Sequence, residues 1–490
     1  MTDTVYTAIG EQVSPATLRA FEFFGELSGI PRPSRKEAKV RDWLQTLAER
    51  YKWESRSDTE GNVVLYVPAS PGREQEPVII LQGHQDMVCE KLPDSPHDFD
   101  RDPIELTVAY DWLTAKGTTL GADNGIAIAL AIALATDPGL THPRLELLFT
   151  VDEETGLTGA SRLDPSLLQG RSLINIDSED EGVLTVGCAG GTDTGISIDL
   201  SRAGQSGGAC FRLSVGGLRG GHSGVDIHLK RANANVVLAH ALRKVADAYG
   251  IRLLSVHGGS AHNAIPRDAH AVFEGEIALG ALESIVRELN ETFRKQYGSW
   301  EPNGIISVSP ADCGGGSADG KSTNALIDLL CGLPHGIVGM SPDIPGLVET
   351  SVNLATIKTD GDKVEIGLSQ RGSVQQEMSV LNRRIHAIGR LAGAKAVDRN
   401  SYPGWKPDLE SPLLAHCRAV YQKTFGHEPV VEAIHAGLEC GVIGAKFKDM
   451  DMISLGPSIE SPHSPDERLH IRSVENVYRF LSAVLQSTPL

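Results

Sequence analysis

Apolar runs of two lengths alternate along the first part of the chain. Helical periodicity over residues 15–51 predicts two amphipathic helices, separated by the proline-rich turn at 31–34. The run NGIAIALAIALA (124–135) is too long and too rich in alanine for a strand, so it predicts a buried helix. Shorter runs predict strands at 62–67, 77–83, 145–151 and 172–176. This alternation is typical of an α/β fold with a mixed, largely parallel sheet flanked by helices.

Glycine clusters change the pattern from about residue 188, where CAGGTDTG, QSGGA and GGLRGGHSG separate strand-like runs. Helical patterns then lie at 230–248, 281–297, 411–424 and 472–486. We expect residues 1–188 and 390–490 to form one discontinuous domain. Residues 189–389 would form a second α/β unit inserted into it. A chain of 490 residues exceeds the usual size of a single core, which agrees with two domains.

The charge composition of the chain limits which classes of molecule it can be expected to bind. The chain has 63 acidic and 45 basic residues, a net charge of −18, which argues against nucleic acid or an anionic membrane as a partner. The N-terminus shows no basic segment followed by an apolar core, and no apolar run reaches the roughly 20 residues that span a bilayer. We therefore expect a cytoplasmic protein with a small-molecule substrate.

Seven cysteines form an odd set without CxxC spacing. Neither a disulfide framework nor a thiolate zinc site is indicated. Any metal ion must then be held by nitrogen and oxygen ligands.

Candidate ligands of that kind stand at the ends of apolar runs. His84 and Asp86 in GHQDMV are two residues apart, so in an extended chain both side chains lie on one face and the carboxylate can orient the imidazole. The run LLFTVDEETG ends in Glu153 and Glu154, and SLINIDSE ends in Asp177. Ends of strands are where α/β enzymes build their sites.

Two further candidates have simple structural alternatives. Asp123 in GADNG stands at the start of the predicted helix 124–135, where an acidic residue is often only an N-cap. His463, in the serine- and proline-rich loop SPHSPDERLHI, could be an ordinary solvated histidine. His84 likewise has a structural alternative, since it could be an ordinary polar residue at the end of a strand.

A competing motif indicates a nucleotide hydrolase. The segment GGSADGKS (315–322) satisfies the P-loop pattern, and LLFTVDE (147–153) could serve as a Walker B strand. Against this interpretation, Pro310 and Asp312 separate the strand-like run 304–309 from the loop, and Asp319 would repel a phosphate. The Walker B candidate also precedes the loop. Chance glycine richness is the preferred explanation.

Taken in order, HxD, GADNG, DEETG, NIDSE and a late PHSPDE loop resemble the metallopeptidase family that includes aminoacylases, succinyl-diaminopimelate desuccinylase and carboxypeptidase G-like enzymes. Within it, GHQDMVCEK, VDEETGLTGA, GGHSGVDIH and HAGLECG are most similar to the branch of Xaa-His dipeptidases. The resemblance spans nearly the whole chain. It implies hydrolysis of dipeptides, with a preference for C-terminal histidine, in a homodimer.

The resemblance also implies a ligand set. His84 and Asp177 would bind one metal ion, and Glu154 and His463 the other. Asp123, followed by a cis peptide bond, would bridge the two ions. Nitrogen and oxygen ligands favour two Zn²⁺ per chain, with Mn²⁺ or Co²⁺ as substitutes.

Catalytic and substrate-binding roles follow from the same resemblance. Glu153 would be the general base, and Asp86 would orient His84. His222 would polarise the substrate carbonyl, and the inserted unit would close over the substrate as a lid. Asn263, Arg371 and Gly437 would help to hold the substrate, Arg371 by pairing with a C-terminal carboxylate, unless it forms only a surface salt bridge. An N-acyl amino acid amidohydrolase and a catalytically silent binding relative are the alternatives.

Overall fold

A computed structural model describes residues 3–204 and 207–487 and divides the chain into two compact units. Unit 1 comprises the chain up to Cys188, Trp405–Ala433 and the chain from Leu438 onward. Unit 2 comprises Ala189–Gly404 and Ile434–Gly437.

Helices occur in both units. Those of the N-terminal part are α1 (Asp3–Gly10), α2 (Pro15–Ser28), α3 (Ala38–Tyr51), α4 (Ala122–Thr136) and α5 (Thr158–Arg162). Unit 2 contains α6 (Ala234–Tyr249), α7 (Leu279–Tyr297), α8 (Gly320–Gly332) and α9 (Gln375–Leu391). The C-terminal part contains α10 (Pro412–Phe425), α11 (Glu439–Lys446) and α12 (Ile471–Gln486). No helix within the described residues is both long enough and apolar enough to cross a bilayer.

The strands follow the same division. The N-terminal part contains β1 (Glu54–Ser57), β2 (Val63–Val67), β3 (Ile79–His84), β4 (Leu106–Ala109), β5 (Trp112–Ala115), β6 (Leu145–Thr150), β7 (Ser172–Asn175) and β8 (Val183–Cys188). Unit 2 contains β9 (Gly190–Asp199), β10 (Arg202–Ala203), β11 (Ala209–Gly216), β12 (Gly221–His222), β13 (Arg252–Gly258), β14 (Ala264–Ile265), β15 (Ala269–Gly275), β16 (Ile305–Pro310), β17 (Ser317–Ala318), β18 (Gly336–Met340), β19 (Val348–Asp360), β20 (Lys363–Gly372) and β21 (Lys395–Tyr402). The C-terminal part contains β22 (Val430–Ile434), β23 (Asp451–Ser454), β24 (Ile459–Glu460) and β25 (Arg468–His470).

Unit 1 is built on an eight-stranded mixed sheet in the order β1-β2-β6-β3-β7-β23-β8-β22. Its centre, β6-β3-β7-β23, is parallel, which confirms the α/β class predicted from sequence. Parallel strands end at one edge, so His84 at the end of β3 lies beside the loops that follow β6 and β7. The smaller sheet β24-β25-β5-β4 was not predicted.

The alanine-rich helix α4 is buried along nearly its whole length and packs against β3 and α2. No polar face is needed, because apolar neighbours surround it. Its close approach to β3 depends on Gly83, where a Cβ would overlap Asn124 Oδ1 and lie 2.8 Å from the Cβ of Ala127.

Unit 2 has a nine-stranded sheet in the order β16-β11-β15-β13-β19-β20-β9-β21, with β18 paired to β19. Its neighbouring strands are antiparallel, in contrast to the parallel centre of unit 1. Helices α6 to α9 pack against this sheet. The boundary near residue 390 expected from sequence lies at 404/405 instead, because β21 pairs with β9 and extends the sheet of unit 2.

Cys210 on β11 and Cys313 form a disulfide, although the cysteine pattern gave no sign of one. The two residues are 103 positions apart in sequence. They meet because β16 pairs with β11, and the chain after β16 then passes Cys210, whose carbonyl accepts the N–H of Ala311 at 2.9 Å.

We expect Gly83→Ala to lower the midpoint of thermal unfolding, because the added methyl must push α4 away from β3 at a cost of roughly 1–3 kcal/mol. Differential scanning calorimetry measures the effect. Gly280→Ala is the matched control, since no atom lies within 4 Å of a Cβ built at that helical position. Equal midpoints for the two variants would contradict the close approach of α4.

Candidate active site

Asp86 organises the strand-end cluster of unit 1. Its Oδ1 lies 3.2 Å from Nδ1 of His84. The same carboxylate accepts the backbone N–H of Glu153 at 3.1 Å and of Glu154 at 3.2 Å, as well as the hydroxyl of Ser34 at 2.8 Å. One buried side chain therefore orients the imidazole ring and fixes the acidic turn after β6.

Asp123 is not a helix cap. The cap position of α4 is Gly121, and Asp123 has non-helical φ and ψ of −78° and 106°. The Asp123–Asn124 peptide is cis, as the family resemblance implied. The Asn124 side chain accepts the N–H of His84 at 3.1 Å and donates to the carbonyl of Ile176 at 2.7 Å. This asparagine therefore ties the start of α4 to the ends of β3 and β7.

The structure brings all five ligand candidates together. Oδ1 of Asp123 lies 3.1 Å from Nε2 of His84, and Oδ2 lies 3.1 Å from Nε2 of His463. His84 Nε2 is also 3.6 Å from Oδ1 of Asp177, and His463 Nε2 is 3.1 Å from Oε2 of Glu154. Ligand atoms bound to zinc at about 2.0–2.1 Å in a tetrahedron lie about 3.3 Å apart. The spacing therefore suits cation binding, with the Asp123 carboxylate shared between the two histidines.

Charge balance supports a cation site. Burial, together with the neighbouring Asp177 and Glu154 carboxylates, raises the pKa of Glu153 well above its usual range. Hydrogen bonds to Asp123 and Glu154 raise the pKa of His463 to about 11. The cluster therefore retains protons to offset its excess of carboxylates, and divalent cations compete with protons for such groups.

The sequence analysis assigned no role to three buried ionisable residues around this cluster. Glu467, in the same loop as His463, accepts backbone N–H groups of residues 120–123. Arg32 donates to the carbonyls of residues 85, 86 and 121. Glu439 accepts hydrogen bonds from Gln82 and Thr150, and burial raises its pKa to about 7. The sequence offers a weak signal for two of these residues. Arg32 is a charged residue within the turn IPRPS, and Glu467 ends the triplet PDE in the loop of His463.

In unit 2, hydrogen bonds fix the tautomer of His222. Its Nδ1 accepts the backbone N–H of Gly224 at 3.3 Å and of Val225 at 3.1 Å. Burial and the charge of Arg371 lower the pKa of His222, so the ring is neutral near pH 7 and carries its proton on Nε2. His222 is therefore a hydrogen-bond donor through Nε2.

Arg371 is not part of a surface salt bridge. Only 9% of it is exposed, and its Nε has no hydrogen-bond partner within residues 3–204 and 207–487. Buried Val364, Ile366 and Leu368 alternate with it along β20, so its side chain lies on the sheet face opposite the apolar core. Its Nη1 donates to the hydroxyl of Tyr402 at 3.5 Å. A buried guanidinium with free donors is suited to bind a carboxylate.

His435 was missed by the sequence analysis although it stands in the quoted motif HAGLECG. Its Nε2 lies 2.7 Å from Oγ of Ser351, which pairs across the strands with Arg371. Among the predicted substrate contacts, Asn263 is exposed, and its backbone carbonyl accepts the N–H of Ser223 at 2.8 Å. A Cβ at Gly437 would lie 3.1 Å from the ring of Tyr402. His262, which had no predicted role, lies 3.4 Å from Asp193.

The P-loop interpretation does not fit the structure. Oδ1 of Asp319 accepts the N–H of Ser322 at 2.6 Å and caps α8. A carboxylate therefore occupies the helix N-terminus where a phosphate would bind.

Burial and the charge of Arg371 lower the pKa of His435 to about 4. We therefore expect this imidazole to remain neutral at about pH 5, whereas a histidine in the unfolded chain titrates near 6.5. Since only the unfolded chain takes up this proton between about pH 6.5 and 4, the residue makes the fold less stable on acidification through that range. Histidine-selective NMR measures the titration, with His435→Gln to assign the signal. A midpoint at 6.5 or above would contradict the buried environment.

The chain as a whole is similar to a known protein family and to known proteins. The profile of peptidase family M20/M25/M40 matches residues 80–487. The chain is 37% identical over 484 residues to the cytosol non-specific dipeptidase of Escherichia coli (strain K12), covering 98% of this chain and 99% of that protein. It also superimposes on the crystal structure of aminoacylhistidine dipeptidase from Vibrio alginolyticus with a TM-score of 0.91 and 37% identity, covering 98% of both chains. Aminopeptidase PepT from Bacillus cereus ATCC 10987, at 15% identity, a TM-score of 0.57 and coverage of 97% and 99%, shares the fold.

Proposed function

Because the chain belongs to peptidase family M20/M25/M40, we propose that it is a metal-dependent dipeptidase that prefers dipeptides with a C-terminal histidine. The observation that carries the metal-dependent part is the position of Asp123. Its two carboxylate oxygens each lie 3.1 Å from the Nε2 of a different histidine, His84 and His463. The preference for histidine rests on the likeness to the Vibrio alginolyticus enzyme, named for aminoacylhistidine.

We assign His84 and Asp177 to one cation, Glu154 and His463 to the other, and Asp123 to both. When bound, two divalent cations acidify water and polarise the scissile carbonyl. Zinc suits these nitrogen and oxygen ligands, and manganese or cobalt are possible replacements.

Glu153 is the proposed general base. Its backbone is held by Asp86, and its side chain leaves the same turn as Glu154. Its carboxylate takes a proton from the attacking water and delivers it to the leaving amine, so one group serves both proton transfers. Burial raises the pKa of this carboxyl group, so it holds a proton more readily than an exposed glutamate before delivering it to the amine.

Unit 2 supplies the proposed substrate contacts. His222 donates from Nε2 to the carbonyl oxygen, and Arg371 pairs with the C-terminal carboxylate of the dipeptide. Asn263 and Gly437 remain assigned to the substrate on the family resemblance. The lid role of unit 2 and a homodimeric assembly are predictions on the same basis.

The two alternatives receive less support. An N-acyl amino acid amidohydrolase would use the same cluster, but both 37% identical relatives are named as dipeptidases. A silent binding relative would have lost the base or a ligand, whereas Glu153 and all five ligand candidates are present in this sequence. The word cytosol in the name of one relative supports a cytoplasmic location.

We expect metal-stripped protein to be inactive and added Zn²⁺ to restore cleavage, with Ala-His cleaved faster than Ala-Ala or N-acetyl-alanine. Ala-His amide should show a kcat/KM about 10- to 100-fold lower, because it lacks the carboxylate that binds Arg371. Product analysis by chromatography measures each rate. Faster cleavage of the N-acetyl compound would favour the amidohydrolase, and no cleavage with any metal would favour the silent relative.

Two variants separate the base from the ligands. We expect Glu153→Ala to bind two cations but to lower kcat by about 10²- to 10⁴-fold, the contribution of a positioned base. Asp123→Ala should instead lower the metal content, since both cations lose a ligand. Elemental analysis and initial rates on the same preparations measure both effects. Substantial activity in Glu153→Ala, or two tightly bound cations in Asp123→Ala, would overturn the respective assignment.

A further inference from the structure

Glu467 makes an unusual set of hydrogen bonds for a glutamate that is only 2% exposed. Its Oε2 accepts the backbone N–H of Leu120 at 2.8 Å and of Gly121 at 3.0 Å. Its Oε1 accepts the N–H of Ala122 at 2.8 Å and of Asp123 at 3.2 Å. Four consecutive amides of the segment that ends in the bridging aspartate therefore point at one carboxylate.

The same glutamate belongs to the loop that carries His463. This loop joins β24 to β25, and cross-strand pairing of Glu460 with Arg468 closes it. Inside the loop, the N–H of Glu467 donates to the carbonyl of Ser464 at 3.0 Å. The loop is thereby folded back on itself, and its glutamate contacts a segment 344 positions away in sequence.

We infer that Glu467 is a positioning residue that sets the spacing between Asp123 and His463, and so completes the cation site formed by His463 and Glu154. The inference rests on the ligand assignment proposed above. Glu467 touches neither cation nor substrate directly, so it acts through the backbone of Asp123 and through its own loop.

Only a carboxylate satisfies this geometry. Four donors need the lone pairs of two oxygens, whereas glutamine offers one oxygen and places an NH₂ group against N–H donors. The negative charge is offset by the fully buried guanidinium of Arg32, which donates to the carbonyl of Gly121. The Gly121 peptide is therefore held at its N–H by one charged group and at its carbonyl by the other.

The test measures cation binding to the full-length protein, independently of activity. We expect Glu467→Gln to retain one tightly bound Zn²⁺ and to bind the second about 10- to 100-fold more weakly, the loss typical when a partner behind a ligand is removed. Isothermal titration calorimetry gives the two affinities, and circular dichroism of the metal-free variants shows that they are folded. If Glu467→Gln does not fold, Glu467→Asp is measured in its place. It keeps the negative charge but shortens the side chain, so we expect the same weakening of the second cation.

Two controls make the outcome specific. Glu460→Gln removes an exposed carboxylate that pairs with Arg468 in the same hairpin, and it should leave both affinities unchanged. His463→Ala removes a proposed ligand and should weaken the second cation at least as much as Glu467→Gln. Two cations bound with native affinity by folded Glu467→Gln, or by the Asp variant in its place, would overturn the positioning role. Unchanged binding by His463→Ala would instead overturn the ligand assignment.

Discussion

The concentration of carboxylates at one edge of the unit 1 sheet is the constraint on which the rest of the structure depends. The buried or half-buried acidic side chains of this region include Asp86, Asp123, Glu153, Glu154, Asp177, Glu439 and Glu467. Like charges in a poorly solvated region repel, so each group needs its own compensation. Backbone N–H groups compensate Asp86 and Glu467, and neutral side chains hydrogen-bond Glu439. The remaining four face two histidines, which is too little positive charge without cations.

Crowding of charged groups explains why particular glycines are required. Gly121 has a φ of 68°, and a Cβ there would lie 2.5 Å from Nη2 of Arg32 and 2.8 Å from Sδ of Met87. The guanidinium can reach the backbone only because that space is empty. Gly83 similarly admits the side chain of Asn124, which connects two strand ends to α4. The motifs GHQD and GADNG thus combine candidate ligands with the space that their supporting groups need.

Local patterns predicted the elements of unit 1 and the residues at strand ends, because apolar runs, their lengths and the polar residues after them are properties of contiguous sequence. The helix around residues 124–135 and the positions of Glu153, Glu154 and Asp177 were accessible in this way. The supporting groups were not. Arg32, Glu467 and His435 look ordinary in sequence, since their roles come from partners that are more than 50 residues away along the chain. The antiparallel pairing of the strands in unit 2 could not be predicted for the same reason, because it too depends on partners far apart along the chain.

The two units carry opposite excess charge at their candidate sites. Unit 1 has more carboxylates than histidines, whereas unit 2 places Arg371 beside His222 and His435, whose lowered pKa values keep them neutral. A neutral imidazole tolerates a nearby guanidinium, so the arginine stays available for one negative group. The carboxylate that dipeptides and N-acyl amino acids share is such a group, so this arginine would favour either substrate over an amidated one without distinguishing between the two.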